Sequence, residues 1–174
     1  MNKTFLPILL LITLSSCMGV KTSTSGKISK YIEDFYLGDG NMQYFVKPLE
    51  YQDINEKETT LDATFRRIEK QTDSVTVNFN ILLKTDHKVQ NVTITNINNN
   101  YSASTVETFF IKKEDDLINH RLSIKVPYNF YYDNLLSNSH KIFVKSSSDS
   151  NTIEPSKKTQ KITPILKQKI SNLL

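Results

Sequence analysis

Cysteine, tryptophan, glycine and proline are all scarce in this chain of 174 residues. There is one Cys, no Trp, four Gly and five Pro. A single thiol excludes an intramolecular disulfide, so the fold must depend on its hydrophobic core. So little Gly and Pro excludes collagen-like chains. The formal net charge of +4 is too small and too scattered to imply nucleic-acid binding.

Long hydrophobic runs are also absent, and the strongest apolar run is a short one near the N-terminus. Lys3 precedes ten mostly apolar residues, 5–14, and small residues follow them. Ten residues span about 15 Å as a helix, which is about half of the hydrocarbon core of a membrane. The run therefore predicts a secretory signal and not a transmembrane anchor.

The end of this signal is more specific. Leu14-Ser15-Ser16-Cys17 resembles the lipobox of bacterial lipoproteins, and the only Cys of the chain stands where that motif requires it. The resemblance covers residues 1–17. It implies cleavage before Cys17, a diacylglyceryl group on the Cys17 thiolate, and acylation of the new amino terminus with a fatty acid such as palmitate. Met18, in place of the Asp that retains enterobacterial lipoproteins at the inner membrane, favours the outer membrane.

The remainder of the chain is predicted to be a short tether followed by one folded domain. Residues 17–27 have little apolar content and read as a lipidated flexible tether. Residues 28–174 form the domain, and period-two alternation dominates most of it. Seven strands are predicted, at 42–49, 61–66, 75–83, 89–97, 105–112, 121–126 and 141–145. Because each strand has one apolar face, we expect a mainly β fold, an antiparallel β-sandwich of about seven strands.

Helical spacing is confined to the two ends of this domain and to one turn. Apolar residues in the segment 28–37 follow i, i+3, i+4 spacing and favour a short N-terminal helix, with Gly38 after it. The alternative is a strand that leads into a turn at 38–41. Residues 128–137 are expected to contain a helical turn, and 146–152 to form a loop.

A basic amphipathic helix of about eleven residues is predicted at the C-terminus. Thr163 would cap it and Pro164 would take the first helical position. Its apolar face has three possible uses: to cap the sandwich, to lie on an anionic membrane, or to dock a partner.

No motif indicates catalysis, a cofactor or a metal site. His87, His120 and His140 have no metal-ligand spacing and are expected at the surface. The segment 39–50 has oxygen ligands in an order that resembles a calcium loop, but Tyr44 stands where the sharp turn needs Gly. No nucleophile elbow is present. We therefore predict that the protein is not an enzyme.

Two features suggest contacts with other molecules. The aromatic stretch 128–132 could stack on a sugar or a partner loop, or it could pack in the core, as aromatic side chains usually do. Its rings are Tyr128, Phe130, Tyr131 and Tyr132. Asp73-Ser74-Val75 resembles the short O-glycosylation motif of exported Bacteroidetes proteins, which makes Ser74 a candidate modification site.

These observations predict a lipid-anchored cell-envelope lipoprotein that serves as a binding or scaffolding module of an envelope complex. Its partners would be the membrane, through Cys17, and an envelope protein, with a glycan as a further possibility and no nucleic acid. The alternatives are a surface carbohydrate-binding lipoprotein, a periplasmic immunity lipoprotein that neutralises a toxin, and, least favoured, a hydrolase.

Overall fold

A computed structural model describes residues 30–173. The predicted signal, the Cys17 lipidation site and the 17–27 tether lie outside the described residues, and so do the first two positions of the predicted 28–37 helix. The described part is built mainly from ten strands. They are β1 (Ile32–Gly38), β2 (Asn41–Asp53), β3 (Glu58–Arg67), β4 (Ser74–Leu83), β5 (Val89–Thr95), β6 (Asn100–Ser102), β7 (Val106–Glu114), β8 (Leu117–Pro127), β9 (Lys141–Ser146) and β10 (Ser150–Pro155).

Two helical segments complete the described chain. A single turn, α1 (Tyr128–Phe130), continues into a π-helical segment, Tyr131–Leu135, which we call the π turn. The C-terminal helix is α2 (Lys157–Ser171). The helical turn predicted within 128–137 is confirmed.

All neighbouring strands are antiparallel, in the order β6-β5-β9-β10-β2-β3-β4-β8-β7, with β1 attached to β2. Strand β2 is shared by two halves, because its first part pairs with β1 and its last part pairs with β10. A bulge between Val46 and Leu49 separates these two parts and contains Pro48, which cannot donate to a ladder. The halves fold over each other, so that β10 lies near β4 and β5 near β7. The predicted antiparallel β-sandwich is confirmed.

The core lies between these halves and follows the period-two pattern. Strand β4 is the clearest case, because alternate residues from Val75 to Leu83 are at most 1% exposed. Leu122, Ile124 and Val126 of the neighbouring β8 are buried in the same way. Side chains that alternate along a strand point to opposite faces, so one face of each strand supplies the core.

The predicted N-terminal helix at 28–37 is wrong for its described part. Residues Ile32–Gly38 form β1, which pairs with β2 from Val46 back to Asn41. The turn between them holds Gly38, Asp39 and Gly40, all at positive φ, which Gly adopts freely and Asp tolerates. The alternative, a strand that leads into this turn, is the observed structure.

Other strands also differ from their predicted bounds. Strand β2 continues to Asp53, past the expected stop at Pro48, because the bulge absorbs the proline. Three of the seven residues of the expected loop 146–152 belong to β10, whose polar residues pair with β9. Strands β1, β6 and β10 therefore raise the number from about seven to ten.

The C-terminal helix begins seven residues earlier than predicted, at Lys157 instead of Pro164, so Thr163 is not its cap. Ser156 is its N-cap, and the Ser156 hydroxyl accepts a hydrogen bond from the backbone N–H of Thr159. Pro164 lies inside α2, on its exposed side. Ile162, Leu166 and Ile170 of this helix are buried in the core, so the capping role is the one observed. Burial of three such side chains, about 1.5–3 kcal/mol each, offsets the roughly 3 kcal/mol that an internal proline costs.

Candidate functional site

Two of the three histidines are buried, which corrects the prediction that all of them lie at the surface. His87 is exposed, but His120 and His140 are at most 1% exposed. Both buried rings satisfy polar groups of the interior. The His120 Nε2 lies 2.7 Å from the carbonyl oxygen of Thr85, to which it donates.

His140 belongs to a buried pair with Tyr51. The His140 Nδ1 lies 3.0 Å from the carbonyl oxygen of Ser137, and a carbonyl can only accept, so Nδ1 carries the hydrogen. In the neutral ring, Nε2 is then the acceptor of the Tyr51 hydroxyl at 2.8 Å. Burial lowers the pKa of His140 to about 4, although the Ser137 carbonyl acts in the opposite direction. Burial also raises the pKa of Tyr51, so the pair is neutral at physiological pH.

A polar network crosses the outer face of β3, β4 and β8. The Asp62 carboxylate, 3% exposed, forms an ion pair with Arg121 and accepts a 2.9 Å hydrogen bond from Asn78. Arg121 also donates to the Asn80 side chain at 2.7 Å, and Asn119 extends the network to β7. Each charge in this network has a partner within the sheet, so the network joins three strands laterally.

The predicted contact residues of the aromatic stretch are mostly turned inward. Tyr131 is 1% exposed, and Tyr128, Phe130 and Tyr132 are partly buried and pack against the core. Tyr128 stacks on Tyr132 with ring centroids 6.0 Å apart, and burial raises the pKa of Tyr128 to about 12. Tyr128 and Tyr131 both contact Phe65 of β3, whereas Phe130 packs on Tyr101 of β6. The rings thus serve packing, which is the second of the two expected uses.

Ser74 stands at the first position of β4. It lines a surface cleft of about 510 Å³ whose other polar groups include Arg66, Glu69 and Lys125. Thr76 and Lys125 also line a second cleft, of about 450 Å³, toward Glu107. The Ser74 side chain is half-buried, and both acidic and basic side chains line the cleft beside it. Its modification stays a prediction.

The free edges of the sheet carry the largest concentration of exposed apolar side chains. Strand β7 pairs only with β8, and β1 pairs only with β2. Six of the eleven exposed large apolar residues stand in these two strands. They are Phe35, Tyr36 and Leu37 in β1, and Phe109, Phe110 and Ile111 in β7. Sequence reasoning found β7 but not its exposure, because alternation does not tell an edge strand from a central one.

Two further findings concern residues 30–173. Within this range, no group of three or more His, Cys, Asp or Glu side chains is placed so that it could hold a metal ion. Among the same residues, no helix combines the length and the apolar character that crossing a membrane requires.

Comparisons of the chain with protein families, with curated proteins and with solved structures find no match.

Proposed function

We propose that this chain is an exported, lipid-anchored envelope protein whose folded domain is a non-catalytic binding or scaffolding module. One observation carries the binding role: the exposed apolar residues are concentrated on two sheet edges instead of being scattered. Exposed large apolar side chains that cluster on a folded domain are typical of an interaction surface, whereas single scattered ones are not.

The edges of β1 and β7 are suited to binding by strand addition. Each edge offers backbone N–H and C=O groups to an extended segment of another chain, and apolar side chains flank those groups. Main-chain hydrogen bonds would supply affinity, and the rings of Tyr36 or Phe110 would select the side chains opposite them. The partner class is therefore a protein with an extended segment.

The anchor would place these edges close to a membrane. Lipidation at Cys17 and the short tether after it, whose root-mean-square reach would be roughly 17 Å, would hold the domain close to the bilayer surface. Two or three acyl chains hold a protein firmly, whereas one does not. Confinement raises the effective concentration of the domain toward partners in the same membrane, which we propose to be the outer membrane.

The anchor is tested by Cys17→Ser. We expect the wild-type protein to incorporate labelled fatty acid and to sediment with membranes, and the variant to lose both properties. A wild-type protein that starts at another residue, or that carries a free thiol at Cys17, would contradict the anchor and leave the binding role to be tested separately.

The binding surface is tested by photo-crosslinking in cells that produce the protein. A photoreactive residue at Leu37 or Ile111 should give discrete crosslinked products. The matched control is Phe143, which is 41% exposed but stands in β9, a strand paired on both sides. Equal yields at all three positions would show that the edges have no special role.

A further inference from the structure

The register of β7 against β8 makes the β7 edge self-complementary in charge. Glu107 pairs with Ser123, Phe110 with Arg121, and Lys112 with Asn119. The β8 partners are alternate residues, so the three β7 side chains lie on one face of the sheet. Phe109 falls in a bulge and takes no position in this ladder.

Phe110 is therefore the midpoint between an anion and a cation. Glu107 lies two ladder positions from Phe110 in one direction, and Lys112 lies two positions away in the other. Glu107 makes no ion pair with any described residue, and Lys112 lies 3.8 Å from Glu114 in an exposed, loose contact. Both charges remain available to a molecule at the edge.

A two-fold axis normal to the sheet, beside Phe110 and midway between the two copies, would pair this edge with itself in antiparallel fashion. Phe110 would then face Phe110 of the second copy, and each Glu107 would face a Lys112, twice by symmetry. On the opposite face Thr108 would lie across from Ile111. A two-fold interface requires such a self-complementary surface.

The β1 edge lacks this property. Its charged residues are Glu33 and Asp34, both acidic, and Glu33 is already paired with Lys47 of β2 at 2.9 Å. A two-fold axis in β1 would place carboxylates opposite apolar residues or other carboxylates. Self-pairing is thus favoured at β7 and not at β1.

We infer that the occupant of the β7 edge is a second copy of this chain, joined in a two-fold antiparallel strand pair centred on Phe110. This inference rests on the binding role proposed above for the β7 edge and names its partner. The dimer would make the two sandwiches continuous through one extended sheet.

Charge reversal tests the register. The mature protein, purified from membranes in a mild detergent, should sediment as a dimer at micromolar concentration. Glu107→Lys and Lys112→Glu should each raise the dimer dissociation constant by about ten-fold, because each places two like-charge pairs in the interface. The double variant should restore the wild-type value. Lys113→Glu is the matched control, because Lys113 pairs with Ile118 on the opposite face and should change little.

A single thiol at the axis provides a second test. Phe110→Cys in the Cys17→Ser background should form a disulfide-linked dimer under mild oxidation, whereas Tyr36→Cys in the same background should not. A monomeric wild type would overturn the inference and would indicate that the bulge and the lysines close the edge. A dimer insensitive to both charge reversals would overturn it as well.

The outcomes separate this inference from the proposed function. A crosslink from Ile111 to a different protein, with a monomeric chain, would contradict only the identity of the occupant. An absence of edge-specific crosslinks together with a monomeric chain would contradict both the occupant and the binding role.

Discussion

The buried pair of His140 and Tyr51 makes the stability of this protein depend on pH. In the folded state the imidazole is 1% exposed and neutral, and both ring nitrogens have partners that suit the neutral form. In the unfolded chain the same ring is hydrated and titrates near pH 6.5. Acid therefore favours the unfolded chain, which binds the proton more readily.

The magnitude follows from the two pKa values. Burial holds the pKa of His140 at about 4, below the ordinary value of 6.5. Each pKa unit corresponds to about 1.36 kcal/mol, so the neutral ring contributes about 3 kcal/mol of stability that is present above about pH 6.5. This contribution declines as the pH falls from about 6.5 toward 4. By about pH 5, roughly 2 kcal/mol should be lost.

The free energy of unfolding from urea titrations at about pH 7.5 and about pH 5 measures this effect. Burial alone would raise the pKa of Asp53, but hydrogen bonds from Lys57, Asn151 and Asn55 together outweigh it and lower that pKa. Its stabilisation is lost only in more acidic solution, so it does not enter this pH range. We expect His140→Gln to remove most of the pH-dependent loss, and the exposed His87→Gln to retain it. Equal losses of unfolding free energy in wild type and His140→Gln between the two pH values would refute the role of His140.

Three further predictions concern an ion pair, the packing of α2 and the cap of that helix. Arg121→Met leaves the Asp62 carboxylate buried without its cation. We expect the free energy of unfolding, measured in urea at neutral pH, to fall by about 3 kcal/mol. An unchanged urea midpoint would mean that the pair is not buried in solution. By the same assay, Leu166→Ala should lower the free energy of unfolding by about 2–5 kcal/mol, because Leu166 is fully buried. The matched control Ile165→Ala, at an exposed position, should lower it by less than about 0.5 kcal/mol. Equal losses would argue against the packing of α2 on the core. Ser156→Ala removes the N-cap and should lower the thermal midpoint by an amount equivalent to about 1 kcal/mol, and Ser156→Asp should restore it.

Local periodicity was sufficient to predict the central strands. Apolar and polar residues alternate along β3, β4 and β8 because one face of each strand meets the core. Burial alternates strictly only in β4, since Asp62 of β3 and Ser123 of β8 are also buried on the opposite face. The helix predicted at 28–37 is wrong for its described part because the apolar spacing of this segment fits a helix as well as a strand. The strand is favoured by six paired positions between β1 and β2, and the spacing of apolar residues within 28–37 gives no information about this pairing.

The candidate surfaces were harder to predict than the core. Phe109, Phe110 and Ile111 look like core residues in the sequence, and only the end position of β7 in the sheet exposes them. The four rings of the aromatic stretch present the converse case. They could have stood on the surface, but the π turn directs Tyr131 inward.

The residue order determined the mainly β character and the presence of a C-terminal helix, because both arise from periodicities within short segments. The single apolar face of each strand then required two packed sheets. The start of the helix was not determined in this way, since its N-cap is Ser156 and not Thr163. Tertiary structure alone decided which strands lie at the edges of the sheet and which histidines are buried. It also decided that Ile32–Gly38 forms a strand and not a helix. Those outcomes depend on pairing between distant segments, for which no local pattern carries the information.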